Sequence, residues 1–180
     1  MPRIAPLTPP YPADIKEQFD RIMRGAAPLV LFRVMAGHAR TWEKLRAGSL
    51  LEGGPLTLRE REIVIDRTCA LNRCEYEWGV HVAIFAAAAK LSEEQIRATV
   101  MGPADARCWS VAEQALIATV DALHRHATLD DAAFAALSGH FDDDKILEII
   151  MLCGAYRTVS YLANALALPL EENAARFPVA

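Results

Sequence analysis

The chain has 180 residues, 53% of them apolar and 23% charged, with a net charge of −4. That length and balance fit one well-buried domain and exclude disorder as the general state. The mild negative charge leaves no electrostatic reason to bind nucleic acid or an anionic membrane, and the basic residues Arg21, Arg24, Arg33, Arg40, Lys44 and Arg46 are interleaved with acidic ones, as on a solvated helix face.

Met1 to Pro12 is proline-rich and lacks the charged-then-apolar layout of a secretory signal, so the mature protein is expected to begin there. From that point the periodicity is helical nearly throughout. Ile15, Phe19, Ile22 and Met23 share one face, and a second helical stretch runs over about 28–51. Gly53, Gly54 and Pro55 break the chain. Thr57 with Glu60 then makes a capping box that opens a helix through about Leu71. Asn72 with Glu75 repeats that spacing more weakly and is read as the start of a helix running from Arg73 to Lys90. Ser92 with Gln95 caps a shorter helix ending near Gly102 and Pro103, and Ser110 with Glu113 opens another lasting to about Ala127. Asp130 begins a short alanine-rich helix to about Gly139. Asp142 to Asp144 place negative charge at the start of a long final helix, which Pro169 stops.

No segment alternates with period two between turn dipeptides, so the class is all-α: a single domain, 1–180, of roughly seven or eight helices. The longest apolar stretches, such as Val80 to Ala89, are interrupted by His81 and bounded by Lys90, so no span of a bilayer is expected. Four cysteines (Cys69, Cys74, Cys108, Cys153) are too sparse for a disulfide scaffold and fit a reducing compartment. A cytoplasmic protein is expected, in which any disulfide is functional rather than structural.

Cys74, Glu77 and His81 stand at i, i+3 and i+7 and share one helix face, continued by Ile84 and Ala88. With Asn72 as the cap, Cys74 lies in the first turn, where free backbone amides and the helix dipole favour a thiolate. Glu75 and Glu77 oppose a second anion, which leaves the direction of any shift on Cys74 open. The same carboxylates favour a charged His81, and a glutamate one turn before a histidine can fix its tautomer for acid-base work. The plainer alternatives are a buried inert thiol and a surface Glu77–His81 pair. Glu62 lies near the apolar stripe of Leu58, Ile65 and Cys69, and also on a charged stripe with Arg59, Asp66 and Arg73, which suits an exposed ion pair.

The segment from Leu56 to Leu91 resembles the carboxymuconolactone decarboxylase domain. The alkylhydroperoxidase D branch of that family carries a glutamate and, about a dozen residues later, C-x-x-C-x-x-x-H. Glu62 falls at the glutamate, Cys74 at the first cysteine and His81 at the histidine. Glu77 stands where that branch has its second, peroxide-attacking cysteine. The decarboxylase branch typically has an aromatic, then glutamate, three residues and histidine, which resembles Tyr76, Glu77 and His81. The chain is a hybrid of the two patterns. The resemblance extends to 28–51 and to the helix after Asp142 with Cys153, Gly154, Ala155 and Tyr156. It implies an alkylhydroperoxidase D-like helical fold, a homo-oligomer (trimer or hexamer), and Glu62 set against the next helix in a proton relay with His81.

The leading expectation is therefore a small-molecule enzyme in which Glu62, Glu77 and His81 perform acid-base chemistry on an organic acid or lactone, with Cys74 as auxiliary nucleophile or pocket thiol. One rival is a thiol peroxidase acting through Cys74, resolved by Cys69, Cys153 or an external thiol. The other is a non-catalytic helical oligomer that binds a small ligand. No cofactor and no metal are expected: Glu62, Glu77 and His81 could supply oxygen and nitrogen ligands, but no HExxH-type signature accompanies them, and His124 and His126 point to different helix faces. Tyr76 and Trp78 read as packing aromatics, and His38 and His140 as solvated residues near helix ends.

Overall fold

A computed structural model describes residues 2–48, 50–51 and 53–179. Met1, Ser49, Glu52 and Ala180 belong to the expected proline-rich start, the second helical stretch, the linker that follows it and the domain end; they lie outside the described residues. Among the described residues there are nine helices and no strand: α1 Ala13–Met23, α2 Val30–Ala36, α3 Ala39–Ala47, α4 Leu58–Leu71, α5 Glu75–Phe85, α6 Glu93–Met101, α7 Val111–His126, α8 Asp131–Ser138 and α9 Asp143–Ala165.

The capping signals place the helix starts. Thr57, Ser92 and Ser110 form complete capping boxes with Glu60, Gln95 and Glu113, and Asp130 and Asp142 each accept a first-turn amide, so orphan N–H groups are satisfied at all five termini. Three expectations are corrected. The single stretch over 28–51 is two helices, because the chain turns at Gly37 and at His38, whose extended backbone starts α3. Asn72 is not the cap of α5; it ends α4, Arg73 takes a left-handed conformation at φ 53°, and Cys74 is the cap. Finally, α5 stops at Phe85 rather than Lys90. There Lys90 is left-handed at φ 55° and the Leu91 N–H reaches back to the Ala86 carbonyl.

These last two junctions use one device. The Cys74 N–H likewise reaches back to the Cys69 carbonyl at 2.9 Å. In each a left-handed residue turns the chain and the next side chain, Cys74 or Leu91, enters the core. Neither left-handed position is a glycine, so the usual sequence signal for such a stop is missing.

Helix α4 runs through the middle of the fold, packed against α5, α6, α7 and α9. It is buried all round: Ile63, Val64, Ile65 and Cys69 are enclosed, and so are Glu62, Asp66, Arg67 and Thr68. Arg67 is held by Asp121 of α7 through two bonds of 2.7 and 2.9 Å and donates to the carbonyls of Thr99 and Gly102 at 3.1 Å each. This buried pair ties α4 to α7 and to the end of α6.

By length and composition α9 could cross a membrane, contrary to expectation, with a mean hydropathy of 1.4 over its most apolar window. In the fold it is a core helix. Ile146, Ile149, Leu152, Cys153, Tyr156, Ser160 and Ala163 are buried, while Leu147, Met151 and Tyr161 face outward.

After α9 the chain returns across α5. The Ala175 N–H donates to the Gly79 carbonyl at 3.0 Å, Phe177 packs on Trp78 with centroids 5.1 Å apart, and the Tyr76 hydroxyl donates to the Glu171 carboxylate. A Cβ on Gly79 would collide with the backbone carbonyl of Ala175, so glycine is required by this close approach. Gly79→Ala should therefore cost about 1–3 kcal/mol through overpacking. Chemical denaturation measures this, and an unchanged midpoint would mean that the tail does not hold this position.

Candidate active site

Helices α4 and α5 bring Glu62 and His81 together. The Glu62 Oε2 lies 2.7 Å from His81 Nδ1, and both side chains are almost completely enclosed. On the other side of the ring, Nε2 lies 3.1 Å from the Tyr156 hydroxyl of α9 and 3.5 Å from Glu77 Oε1. Tyr156 meets the ring edge-on at 5.0 Å. One imidazole is thus gripped at both nitrogens by groups from three helices.

Burial by itself pulls His81 down, but the hydrogen bonds from Glu62 and then Glu77, with their charges, carry it up to about 10. At neutral pH the ring is an imidazolium. Its Nδ1–H donates to Glu62, and Nε2–H is available to Tyr156 or Glu77. Burial holds the Tyr156 phenol well above its ordinary range, with the Glu77 charge adding to the effect, so it stays protonated.

Asp66 stands one turn after Glu62 on α4, buried, with neither oxygen hydrogen-bonded. Burial pushes its carboxyl well above the usual carboxylate range; His81 opposes this and Glu62 adds to it. Asp66 accordingly keeps its proton to higher pH than an ordinary carboxyl, near the charges of Glu62 and His81. Glu77 has a second oxygen, Oε2, that is buried and free of any partner.

Cys74 is completely buried at the cap of α5. Burial is the largest influence on its thiol and raises it; the Glu77 amide lowers it, the Glu77 charge raises it, and the Ser160 hydroxyl and Tyr76 amide lower it. The net shift is upward, which decides the direction left open by the sequence: Cys74 rests as a thiol. Cys69 is also buried and shifted well upward by burial first, and Ser160 lies beside it too. Cys153 faces Thr68 instead. All four cysteines are free.

The outward cover of the site is Arg61 with Phe85. Arg61 donates through Nε to Glu62 Oε1 at 3.1 Å and through Nη1 to the Leu51 carbonyl at 3.1 Å, and it lies over the Phe85 ring, which is 5.2 Å from His81.

The four residues expected from sequence, Glu62, Cys74, Glu77 and His81, are all buried in this region, but not as one stripe. Ile84, expected to continue the buried face, is 53% exposed, and Ala88 is exposed. Glu62 is not an exposed ion pair; it is the principal partner of His81. The sequence reading missed Asp66, Arg61 and Tyr156 as neighbours of the ring. A second acid one turn after Glu62, directly after the apolar run Ile63 to Ile65, was a usable signal for Asp66. Tyr156, 75 residues beyond His81, stands in the stretch of the final helix that resembles the family, but nothing in its spacing set it against the ring. Tyr76 and Trp78 are structural as expected: the Tyr76 hydroxyl accepts the Leu31 N–H at 3.0 Å, and Trp78 donates to Thr99 at 3.0 Å. His38 and His140 are exposed near helix ends. Among the described residues no group of three or more metal-ligating side chains forms.

The family model described as Carboxymuconolactone decarboxylase family matches residues 36–121. No curated protein sequence matches the chain. Among solved structures, an uncharacterized peroxidase-related protein from Silicibacter sp. TM1040 is similar over 98% of this chain and 96% of its own, at 19% identity and a TM-score of 0.84. An alkylhydroperoxidase AhpD core protein from Ralstonia eutropha JMP134 is similar over 95% and 93%, at 19% identity and 0.78. The debrominase Bmp8, in a cysteine-to-alanine variant complexed with 2,3,4-tribromopyrrole, is similar over 94% and 92%, at 14% identity and 0.75. At these identities the likeness is one of fold.

Proposed function

We propose that the protein is a small-molecule enzyme, because residues 36–121 match the model of the carboxymuconolactone decarboxylase family and the chain has an alkylhydroperoxidase D-like fold. It performs acid-base chemistry through Glu62, Glu77 and His81, as a decarboxylase or a lyase-like proton-transfer enzyme acting on a small organic acid or lactone. The observation that carries this reading is the His81 ring held at Nδ1 by Glu62 and faced at Nε2 by Glu77 and Tyr156.

In this reading the imidazolium is the acid. For a decarboxylation, the bond to the departing carboxylate breaks, its electron pair passes into a conjugated carbonyl or lactone, and carbon dioxide leaves. The carbon then takes the proton from His81 Nε2. Glu77 Oε2, buried and unpartnered, is placed to accept a proton in the opposite sense, and Glu62 keeps the ring oriented and charged. Arg61, at the outward cover beside Glu62, supplies the positive charge that an organic acid needs on entry. A cytoplasmic location and assembly of several copies belong to the same proposal, the latter supported by the exposed Leu147, Met151 and Tyr161 of α9.

One observation supports a thiol reading as second choice: Cys69 and Cys74 both lie against Ser160. Cys74 would reduce a hydroperoxide to an alcohol and become a sulfenic acid. Cys69 would condense with it, releasing water and leaving a disulfide for an external dithiol to reduce. Against it stand the upward shifts of both thiols, which withhold the thiolate.

The discriminating experiment follows carbon dioxide release and solvent deuterium incorporation across small carboxylated lactones and organic acids, alongside hydroperoxide consumption with a dithiol. Turnover should fall by about 10²–10⁴-fold in His81→Ala, the range for losing a general acid or base, and persist in Cys74→Ser. Unchanged turnover in His81→Ala would refute the acid-base assignment. Peroxide consumption abolished in Cys74→Ser would establish the thiol reading instead.

A further inference from the structure

A half-open cavity of about 170 Å³ lies between α4, α7 and α9. Neither His81 nor any of its hydrogen-bond partners lines it. Its walls are mainly apolar, from Val120, Leu123 and Ile150, with Cys153 and Thr68 beside them. Apolar cavities of roughly 150 Å³ hold a benzene ring, so the space suits one six-membered ring.

Two polar groups at the cavity lack the partners they would ordinarily have. The Arg157 guanidinium donates to the Tyr161 hydroxyl at 2.6 Å and to the His124 carbonyl at 3.4 Å. Among the described residues it has no carboxylate partner. The His124 Nδ1 is buried and makes no hydrogen bond. Burial first, then the Arg157 charge, lowers this imidazole below its ordinary range, so it faces the cavity neutral and Arg157 provides the charge.

Gly154 keeps the space open. It sits inside the 23-residue α9, where glycine weakens a helix, and among the described residues nothing beyond its chain neighbours and its own helix backbone lies within 4 Å of where its Cβ would stand. No turn, positive φ or internal close approach calls for a glycine there. Any larger residue would project into the region that the cavity occupies.

We propose that this cavity is a second, non-catalytic binding site for a monocyclic carboxylate, its ring against Val120, Leu123 and Ile150 and its carboxylate paired with Arg157. An apolar chamber with one unpaired cation at its edge selects both features together.

The test uses benzoate as the probe, titrated into the full chain and followed by backbone amide shifts and calorimetry, with benzyl alcohol as the uncharged comparison. Saturable benzoate binding that perturbs amides around 153–157 is expected. Arg157→Gln should weaken benzoate by tenfold or more while leaving benzyl alcohol unaffected. Gly154→Leu should remove binding of both while raising the melting midpoint, since leucine suits the helix better. His81→Ala should bind benzoate as the wild type does, which separates this site from the proposed catalytic one. Absence of saturable binding, or equal benzoate affinity in the wild type and Arg157→Gln, would overturn the proposal even if Gly154→Leu failed to fold.

Discussion

Replacing Glu62 with glutamine is expected to change the charge of His81. In the native protein the ring titrates at about 10 because two carboxylates outweigh burial. Glutamine keeps the shape and a hydrogen bond at Nδ1 but removes the nearer charge. Burial then meets only Glu77, at the longer distance of 3.5 Å. The midpoint should fall by about 1–3 pH units, the usual effect of losing one adjacent opposite charge. Imidazole nitrogen shifts followed against pH measure this directly. An unaltered midpoint would mean that Glu62 is not what holds the proton.

The same pair makes stability depend on pH. A folded-state value of about 10 against an ordinary 6.5 means that the native state binds the His81 proton more tightly than the unfolded chain does. The stabilisation is fully present below about pH 6.5 and is lost as pH rises through about 10. Denaturation midpoints should therefore fall across this alkaline window in the wild type. In Glu62→Gln the decline should be smaller in total and end at lower pH, because only the folded-state value changes. A wild type whose stability is flat from neutrality to pH 10 would contradict a charged His81.

Arg67→Met is expected to be the most destabilising single substitution described here. It leaves Asp121 buried, with its principal cation gone, and takes donors from the Thr99 and Gly102 carbonyls. Breaking one side of a buried ion pair costs about 3–5 kcal/mol, a large share of the 5–15 kcal/mol that holds a typical domain together. Denaturant unfolding of Arg67→Met and of the double variant with Asp121→Leu separates the two contributions. The double variant should recover part of the loss, because no charge is then stranded. A single variant within 1 kcal/mol of the wild type, on the scale of an exposed pair, would show that the pair is not buried in solution.

The helix starts at Thr57, Ser92, Ser110, Asp130 and Asp142 were readable because a cap is a local event: a side chain and an amide three residues apart satisfy each other whatever the rest of the fold does. The helix ends at Arg73 and Lys90 were not readable in the same way. There a residue other than glycine takes the left-handed conformation because the next side chain, Cys74 or Leu91, gains burial. That gain exists only when the core around it has formed.

Helix α4 poses the same problem in another form. A helix with one wet face advertises itself by its polar stripe, but a helix packed on all sides has none, so the charged residues Glu62 and Asp66 read as surface when they are interior. Resemblance of 56–91 to a known motif corrected this for Glu62 alone. Asp66 and Arg67 lie within that segment but are not among its matched positions, so the resemblance did not point to their burial.

By itself, then, the sequence determined the all-helical class, the start of most helices, the motif that resembles a known family, and the identities of Glu62, Cys74, Glu77 and His81 as the residues to watch. The tertiary structure showed how the expected Glu62–His81 relay is built, with Glu62 at Nδ1, and alone decided that Tyr156 closes the ring from α9. It also set the proton affinities of the site, raising those of Cys74, Asp66 and His81 above their ordinary values. The physical reason is that capping and periodicity act over a few residues of chain. Proton affinities depend on which charges lie within a few ångströms and on how much water has been removed, and only the packed chain sets those.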